Sequence, residues 1–293
     1  LILQVDTIFI TEIIPVWRNN DIVDMGSNQY PSIAWVQGAV KGTYKLKYPF
    51  HISEYAHSMG NACGNLIDYW NAIESTNFFM GGAIWDWVDQ ALDKRDPTTG
   101  KTYWAYGGDF GADNKPNDGM FCMNGILRPD FTPKAQYFEV KKVYQNVSVK
   151  AVDMKKGLVE IFNKNYFEPL RGYQIVWSLY KDGVCVLSNQ SLEGAKNILG
   201  PRERQTYRLA YDFDQLDAQS EYYVTIQFLQ GKDMPWAKKG YVQMDEQLKV
   251  KDAEKMAPSI AEVTKDGKAI SCQVNKERSE EHTSELQSLR HLV

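Results

Sequence analysis

Three stretches decide the fold: Pro49 to Ser53 reads PFHIS, Cys63 to Ile73 reads CGNLIDYWNAI, and Phe78 to Trp85 reads FFMGGAIW. The outer two are apolar runs of strand length. The middle one sets Leu66, Tyr69, Trp70 and Ile73 at the i, i+3, i+4, i+7 spacing of one helical face. Strand, helix, strand at this repeat is a βαβ unit, which implies parallel strands with the helix crossing over one face. On the N-terminal side, Ile8 to Ile14 (IFITEII) reads as a further buried strand and Pro31 to Lys41 (PSIAWVQGAVK) as a short helix. On the other side, a Gly/Asp/Asn-rich stretch from Asp89 to Asn124 is too long for a plain connector and is suspect as functional. Pro133 to Val147 reads as a closing helix.

After Val147 the period becomes two. Tyr173, Ile175, Trp177 and Leu179 alternate with more polar partners, and Asp182-Gly183 supplies a tight turn before Val184 to Leu187. Tyr207, Leu209 and Tyr211 alternate again, as do Tyr222, Val224, Ile226 and Phe228. Short strands at this spacing predict an antiparallel sandwich. Pro235 to Lys239 reads as a linker, and Lys265 to Val274 as the start of one more hairpin.

The 293 residues carry 33 Lys+Arg against 37 Asp+Glu, a formal charge of −4. That balance argues against a binder of nucleic-acid backbones, which usually presents a basic face. No apolar run approaches the length of a membrane span. Aromatic residues make up 13% of the chain, and six of the 8 Trp (17, 35, 70, 85, 87 and 104) fall in the first 104 residues. Such a bias points either to bulky packing or to stacking on flat ligands. The cysteines at 63, 122, 185 and 272 form no C-x-x-C pair and read as ordinary buried thiols. Arg278 to Val293 (RSEEHTSELQSLRHLV) resembles the translation of a sequencing adapter and is excluded from fold reasoning. The expectation is an internal piece of a longer polypeptide whose natural sequence ends near Glu277.

Chemistry concentrates in residues 51–125. Glu54 ends a predicted parallel strand, where α/β barrels place catalytic groups. Two of the 4 His, His51 and His57, lie within three residues of it. Trp85-Asp86-Trp87 ends the following strand, so adjacent strands deliver a carboxylate and indoles to one rim. Indoles stack on the C–H face of a sugar while Asp, Asn and His bind its hydroxyls. Strand alternation puts Trp85 and Trp87 on one face and Asp86 on the other, and at least one indole is expected to pack structurally. Glu12 and Glu74 read as a loop residue and an exposed helix residue.

Four segments, SEYAHSMGN (53–61), GGAIWDWVDQ (81–90), AYGGDFG (105–111) and FCMNG (121–125), resemble in order and spacing the signatures of β-galactosidases of glycoside hydrolase family 2. The resemblance spans residues 1–250 and implies a (β/α)8 barrel accompanied by sandwich domains. On this reading 1–147 is the C-terminal half of the barrel with its last three or four strands. Residues 148–250 are an immunoglobulin-like sandwich, 251–277 the start of a further β domain, and 278–293 a non-native tail. The resemblance makes Glu54 the nucleophile of a retaining mechanism, His57 a binder of sugar hydroxyls and Trp85 the stacking platform. Phe121, through its carbonyl, and Asn124 would hold Na+ beside the sugar, and Asn117 would contact a second Mg2+. The acid/base Glu and the main Mg2+ ligands belong upstream of Leu1. The tyrosine that assists the nucleophile is expected near Trp17, in IIPVW where the family shows IICPMY.

The implied substrate is a β-galactoside such as lactose. The implied assembly is a homo-oligomer at full length, with the compartment open between cytoplasm and periplasm. The isolated chain is expected to be poorly soluble and to lack turnover. Two alternatives stand beside this reading. One is a family 2 glycosidase with another sugar preference, and the other is a non-catalytic carbohydrate-binding or structural fragment.

Overall fold

The computed structural model describes residues 26–46, 49–112, 114–192 and 199–254. The expected strand at 8–14, Trp17, the hairpin at 265–274, Cys272 and the tail lie outside the described residues. The chain forms two units, each around its own core.

In the first unit the elements run β1 (Gly26–Gln29), α1 (Ile33–Val40), β2 (Phe50–Tyr55), α2 (Leu66–Glu74) and β3 (Phe79–Ile84). The three strands are parallel in the order β1-β2-β3. A parallel bridge between Val88 and Leu127 continues the order past β3. Proline and serine start α1 as their chemistry dictates: Ser32 Oγ accepts the Trp35 amide at 3.2 Å, capping the first turn. Gly42, at φ +81°, carries the chain away after the last turn. Parallel strands joined by helices must bury the face those helices cover. Phe50, Ile52 and Tyr55 of β2 accordingly pack with Val36 and Ala39 of α1 and Leu66 and Ile73 of α2. The sheet is open among the described residues, a sector of a TIM barrel.

The stretch 89–124 is not a plain loop. It holds an antiparallel hairpin of β4 (Leu92–Arg95) and β5 (Thr102–Ala105). Asp96 nucleates its turn by accepting the amides of Thr98 at 2.7 Å and Thr99 at 2.8 Å on one oxygen, with Gly100 at φ +68° completing the reversal. Two single-turn 3-10 segments, Gly107–Asp109 and Gly119–Cys122, follow before α3 (Ala135–Val143) packs Val140 and Val143 into the first core.

The second unit comprises β6 (Val147–Asp153), β7 (Leu158–Asn163), β8 (Tyr173–Lys181), β9 (Val184–Ser191), β10 (Arg204–Arg208), β11 (Tyr222–Gln230) and β12 (Val242–Lys251). These form two antiparallel sheets, ordered β10-β7-β6 and β12-β11-β8-β9. Strict alternation along β11 turns Tyr222, Val224, Ile226 and Phe228 inward, against Val149, Val159, Ile161 and Trp177. Asp182 (φ +48°) and Gly183 (φ +80°) make the two-residue β8–β9 turn with both centres in the left-handed region.

Several sequence expectations need correction. Pro235–Lys239 is no linker: it lies in the connection of the β11–β12 hairpin, where the Met234 amide bonds Ala237 O at 2.8 Å. Cys63 is buried and Cys122 partly so, but Cys185 is exposed because β9 is a sheet edge whose residues are all exposed. Glu74 is the exposed helix residue expected, and it also forms an ion pair with Lys164 at 2.5 Å, tying α2 to the second unit. Among the described residues there is no disulfide, and no helix is long and apolar enough to cross a membrane.

The units meet where α3 lies along β12, the outer strand of its sheet. Lys141 Nζ donates to Val242 O at 2.9 Å and to the Tyr241 hydroxyl at 2.9 Å. Lys142 Nζ reaches Asp245 O and pairs with Glu246 at 3.2 Å. Gln145 Oε1 accepts the Asp245 amide at 2.6 Å. Helix side chains thus satisfy backbone groups that an edge strand would leave open to another chain.

Phe228 is fully buried. Phe228→Ala is expected to cost the sandwich about 3–5 kcal/mol, read as a lower urea midpoint with an unchanged slope. A midpoint equal to that of the parent would show that Phe228 does not carry this core.

Candidate active site

Glu54 owes its position to an irregularity in β2. Ile52 pairs with Gly82 and Tyr55 with Ile84 on one side, while Asn28 pairs with Ile52 and Gln29 with Glu54 on the other. On both edges β2 has one residue more than its neighbour, a bulge at Ser53–Glu54. Alternation from Phe50 and Ile52 without it would send Glu54 into the helix-packed core and Tyr55 outward. With it, Tyr55 is fully buried and Glu54 stands partly exposed on the open face, at the C-terminal end of the sheet. Tyr55 is locked there: its hydroxyl meets the Tyr144 hydroxyl at 2.6 Å and accepts Trp70 Nε1 at 2.8 Å.

The neighbour of Glu54 is Tyr30, at the end of β1. Its amide donates to Glu54 O at 2.8 Å, and its phenol lies beside the Glu54 side chain, placed to donate a hydrogen bond to it. Partial burial, then this bond, then the charges of Glu54 and Asp86 hold the phenol well above the ordinary tyrosine range. A phenol so held stays protonated and can only donate to the carboxylate. Sequence reasoning looked for this tyrosine near Trp17, outside the described residues. The signal that could have found it is the strand-to-helix spacing: Tyr30 stands between GSNQ and the Pro31-Ser32 helix start, as Glu54 stands at the end of its own strand.

Trp85-Asp86-Trp87 follows β3 at the same rim. The Trp85 amide donates to Tyr55 O at 3.2 Å and the Ser58 amide to Trp85 O at 2.7 Å, which fastens this corner to the segment after Glu54. The Trp85–Asp86 peptide is cis. Trp85 is 36% exposed and Trp87 57%, so neither is the packed indole expected. Asp86 is committed: Oδ1 accepts the Trp87 amide at 2.5 Å and Oδ2 accepts Gln90 Nε2 at 3.1 Å.

His57 and Asn124 complete the rim. The His57 ring lies 4.9 Å from that of Phe121 and 6.1 Å from that of Tyr30, and its Nε2 is buried with no partner among the described residues. Asn124 is 2% exposed. Its Nδ2 donates to Phe121 O at 3.0 Å, and its Oδ1 is buried with no partner among the described residues. Buried polar atoms without partners are rare in folded chains and mark places where a ligand completes the bonding. Both stand next to the Glu54–Tyr30 pair or the tryptophan corner.

A close crossing holds Asn124 in place. Segment 124–127 runs over 86–89, with Asp86 N to Asn124 O at 2.6 Å, Ile126 N to Asp86 O at 3.0 Å and Leu127 N to Trp87 O at 3.0 Å. The approach is so tight that a Cβ at Gly125 would lie 2.1 Å from Asp89 N and 2.2 Å from Val88 C. Beneath it Asp89 Oδ1 accepts the Gly125 amide at 2.8 Å and Lys134 Nζ at 3.0 Å, the two side chains being 6% and 15% exposed.

The cation sites differ in fit. Asn124 Oδ1 and the Phe121 carbonyl are adjacent neutral oxygens, one unsatisfied, suited in kind to a hard monovalent cation. Asn117 is exposed; its Oδ1 accepts the Gly119 amide at 2.9 Å, which leaves one lone pair open, and its Nδ2 donates to Lys115 O at 3.3 Å. Among the described residues no group of three or more His, Cys, Asp or Glu converges as a metal site.

Comparison with known proteins identifies the family. The family profile for the TIM barrel domain of glycosyl hydrolases family 2 matches residues 16–149, and that for β-galactosidase domain 4 matches 159–251. The chain is 38% identical over 247 residues to a β-galactosidase of Priestia megaterium, covering 83% of this chain and 23% of that protein. It is 32% identical over 246 residues to a β-galactosidase of Photobacterium profundum, covering 83% and 23%. A β-galactosidase of Yersinia pestis is 35% identical over 190 residues, covering 64% and 17%. The chain therefore spans less than a quarter of the length of these curated relatives. A parallel sheet ending in Glu54 and Trp85, followed by an antiparallel sandwich, is the part of the fold those matches cover. The chain belongs to glycoside hydrolase family 2, of which it carries the C-terminal part of the TIM barrel domain and the β-sandwich that follows.

Proposed function

We propose that this chain supplies the nucleophile side of a retaining β-galactosidase within the intact polypeptide. The observation that carries the reading is the Glu54 carboxylate, turned to the open face by a bulge and held by a phenol that does not ionise. The names borne by the relatives support a terminal β-galactoside, such as lactose, as substrate.

Glu54 attacks the anomeric carbon, the bond to the aglycone oxygen breaks, and a glycosyl ester forms on the carboxylate. Tyr30 orients the attacking oxygens by donating one hydrogen bond, and donates again as the carboxylate is released on hydrolysis. His57 Nε2 lies buried and free to meet a sugar hydroxyl, and Trp85 offers an exposed indole for the C–H face of the ring. Asn124 Oδ1 and the Phe121 carbonyl would receive a second hydroxyl or hold Na+. Such a cation would supply positive charge beside the sugar oxygens. Asn117, whose oxygen keeps one lone pair open beside its turn bond, would contact a second Mg2+.

The mechanism needs a second carboxyl about 5–5.5 Å from the first to protonate the leaving oxygen. Asp86 is no substitute, because both its oxygens accept bonds that fix the tryptophan corner. The resemblance to the family implies an acid/base Glu from elsewhere in the intact polypeptide, and on this reading the chain alone is expected to lack turnover.

In the intact enzyme, Glu54→Gln is expected to lower kcat by about three orders of magnitude or more while galactoside binding persists, measured by single-turnover kinetics and calorimetry. Wild-type turnover in this variant would remove Glu54 from the role. Tyr30→Phe is expected to lower kcat about tenfold or more with KM little changed, the loss of one charge-assisted hydrogen bond. Because the raised phenol keeps its proton until the pH exceeds the ordinary tyrosine value of about 10, no alkaline loss of kcat below that pH should trace to Tyr30. An alkaline limb near neutral pH that vanishes in Tyr30→Phe would contradict this.

A further inference from the structure

Asn124-Gly125 is the one Asn-Gly pair in the sequence. An Asn followed by Gly is the most labile amide in a polypeptide, because nothing on the glycine hinders its nitrogen from approaching the asparagine side chain. Asparagine is a thermolabile residue for this reason. Here the pair has no freedom to change: no larger residue fits at 125, where a Cβ would lie 2.1 Å from Asp89 N. The close crossing therefore imposes the glycine, and the asparagine stands in the candidate site.

We propose that Asp89 is a protecting residue that keeps Asn124-Gly125 from closing to a succinimide in the folded chain. In the reaction the Gly125 nitrogen attacks Asn124 Cγ and a new N–C bond forms. The Cγ–Nδ2 bond breaks, and Nδ2 leaves as ammonia carrying the proton the Gly125 nitrogen gave up. Water then opens the ring to aspartate or isoaspartate.

Four observations oppose the attack. The Gly125 N–H is already bound to Asp89 Oδ1 at 2.8 Å, and that bond must break before the nitrogen can turn to the Asn124 carboxamide. The peptide cannot rotate toward Cγ, because Asn124 O is bound by Asp86 N at 2.6 Å and Gly125 lies against Val88 and Asp89. The leaving nitrogen is tied to Phe121 O at 3.0 Å. Finally, no donor among the described residues reaches Asn124 Oδ1, so nothing stabilises the oxyanion of the tetrahedral intermediate. Lys134, at 3.0 Å from the same Asp89 oxygen, holds the carboxylate in place in its buried position. The inference concerns the chain's own chemistry and does not depend on the substrate proposed above.

The test is peptide mapping of the native full-length polypeptide after incubation at mildly alkaline pH without metal salts, reading conversion of Asn124 to aspartate or isoaspartate. Native protein should convert about tenfold or more slowly than the same polypeptide in urea. Asp89→Ala should speed native-state conversion by a similar factor. Asp89→Asn, which keeps an oxygen acceptor for the Gly125 amide, should speed it less. A folded Asp89→Ala variant, judged by near-UV circular dichroism, that converts no faster than wild type overturns the proposal. Should Asp89→Ala unfold, hydrogen exchange at the wild-type Gly125 amide decides: protection is expected, and exchange at the unfolded-chain rate overturns it.

Discussion

A strand that packs Phe50, Ile52 and Tyr55 under helices cannot also present Glu54 on its far side unless it breaks its own alternation. The extra residue at Ser53–Glu54 resolves this conflict, and the arrangement of the site depends on it. Tyr55 drops into the core and is tied to Tyr144 and Trp70, so the strand end is anchored from behind. Glu54 is thereby presented where Tyr30 can donate to it and where the corner at Trp85 is bonded to the same strand end through Tyr55 O. Packing and chemistry are set by one local departure from regular geometry.

The second constraint is the crossing of 124–127 over 86–89. It makes the tryptophan corner and Asn124 a single rigid piece, with Gly125 as the residue that permits the approach. The Asp89–Lys134 pair below it is nearly buried. Such a pair adds little net stability, since desolvation offsets its attraction, but loss of one partner leaves an uncompensated charge. Its role is better described as fixing geometry than as raising stability. Farther out, α3 hands over to the sandwich by satisfying the open edge of β12, so the barrel sector and the sandwich are docked through directional bonds.

The sequence made the regular parts legible for physical reasons. Apolar spacing of 3.6 gave α2, period two gave β8 and β11, and Asp182-Gly183 announced its hairpin. Glu54 and Trp85 were singled out because they stand at strand ends, and Asn124 because the FCMNG segment resembles a family signature. What stayed hidden depends on pairing between strands. The bulge at 53–54 leaves no mark in the composition of SEY, and β1 is a short GSNQ segment without an apolar pattern. Tyr30 was missed with it, since its meaning comes only from lying across from Glu54. The β4–β5 hairpin was read as loop because its strands are only four residues each, too short to show an alternation, and its turn is made by Asp96. The edge position of β9, hence the exposure of Cys185, is a property of sheet order and not of the strand itself.

The central claim is that the carboxylate presented by the β2 bulge forms the covalent bond to the sugar. The direct measurement is to treat the intact enzyme with a 2-fluoro-galactoside, which slows breakdown of the glycosyl ester, and to locate the label by peptide mass analysis. The account predicts a single ester on Glu54, in the peptide containing SEYAHSMGN. A stable label on any other carboxylate, with Glu54 unmodified, would contradict it.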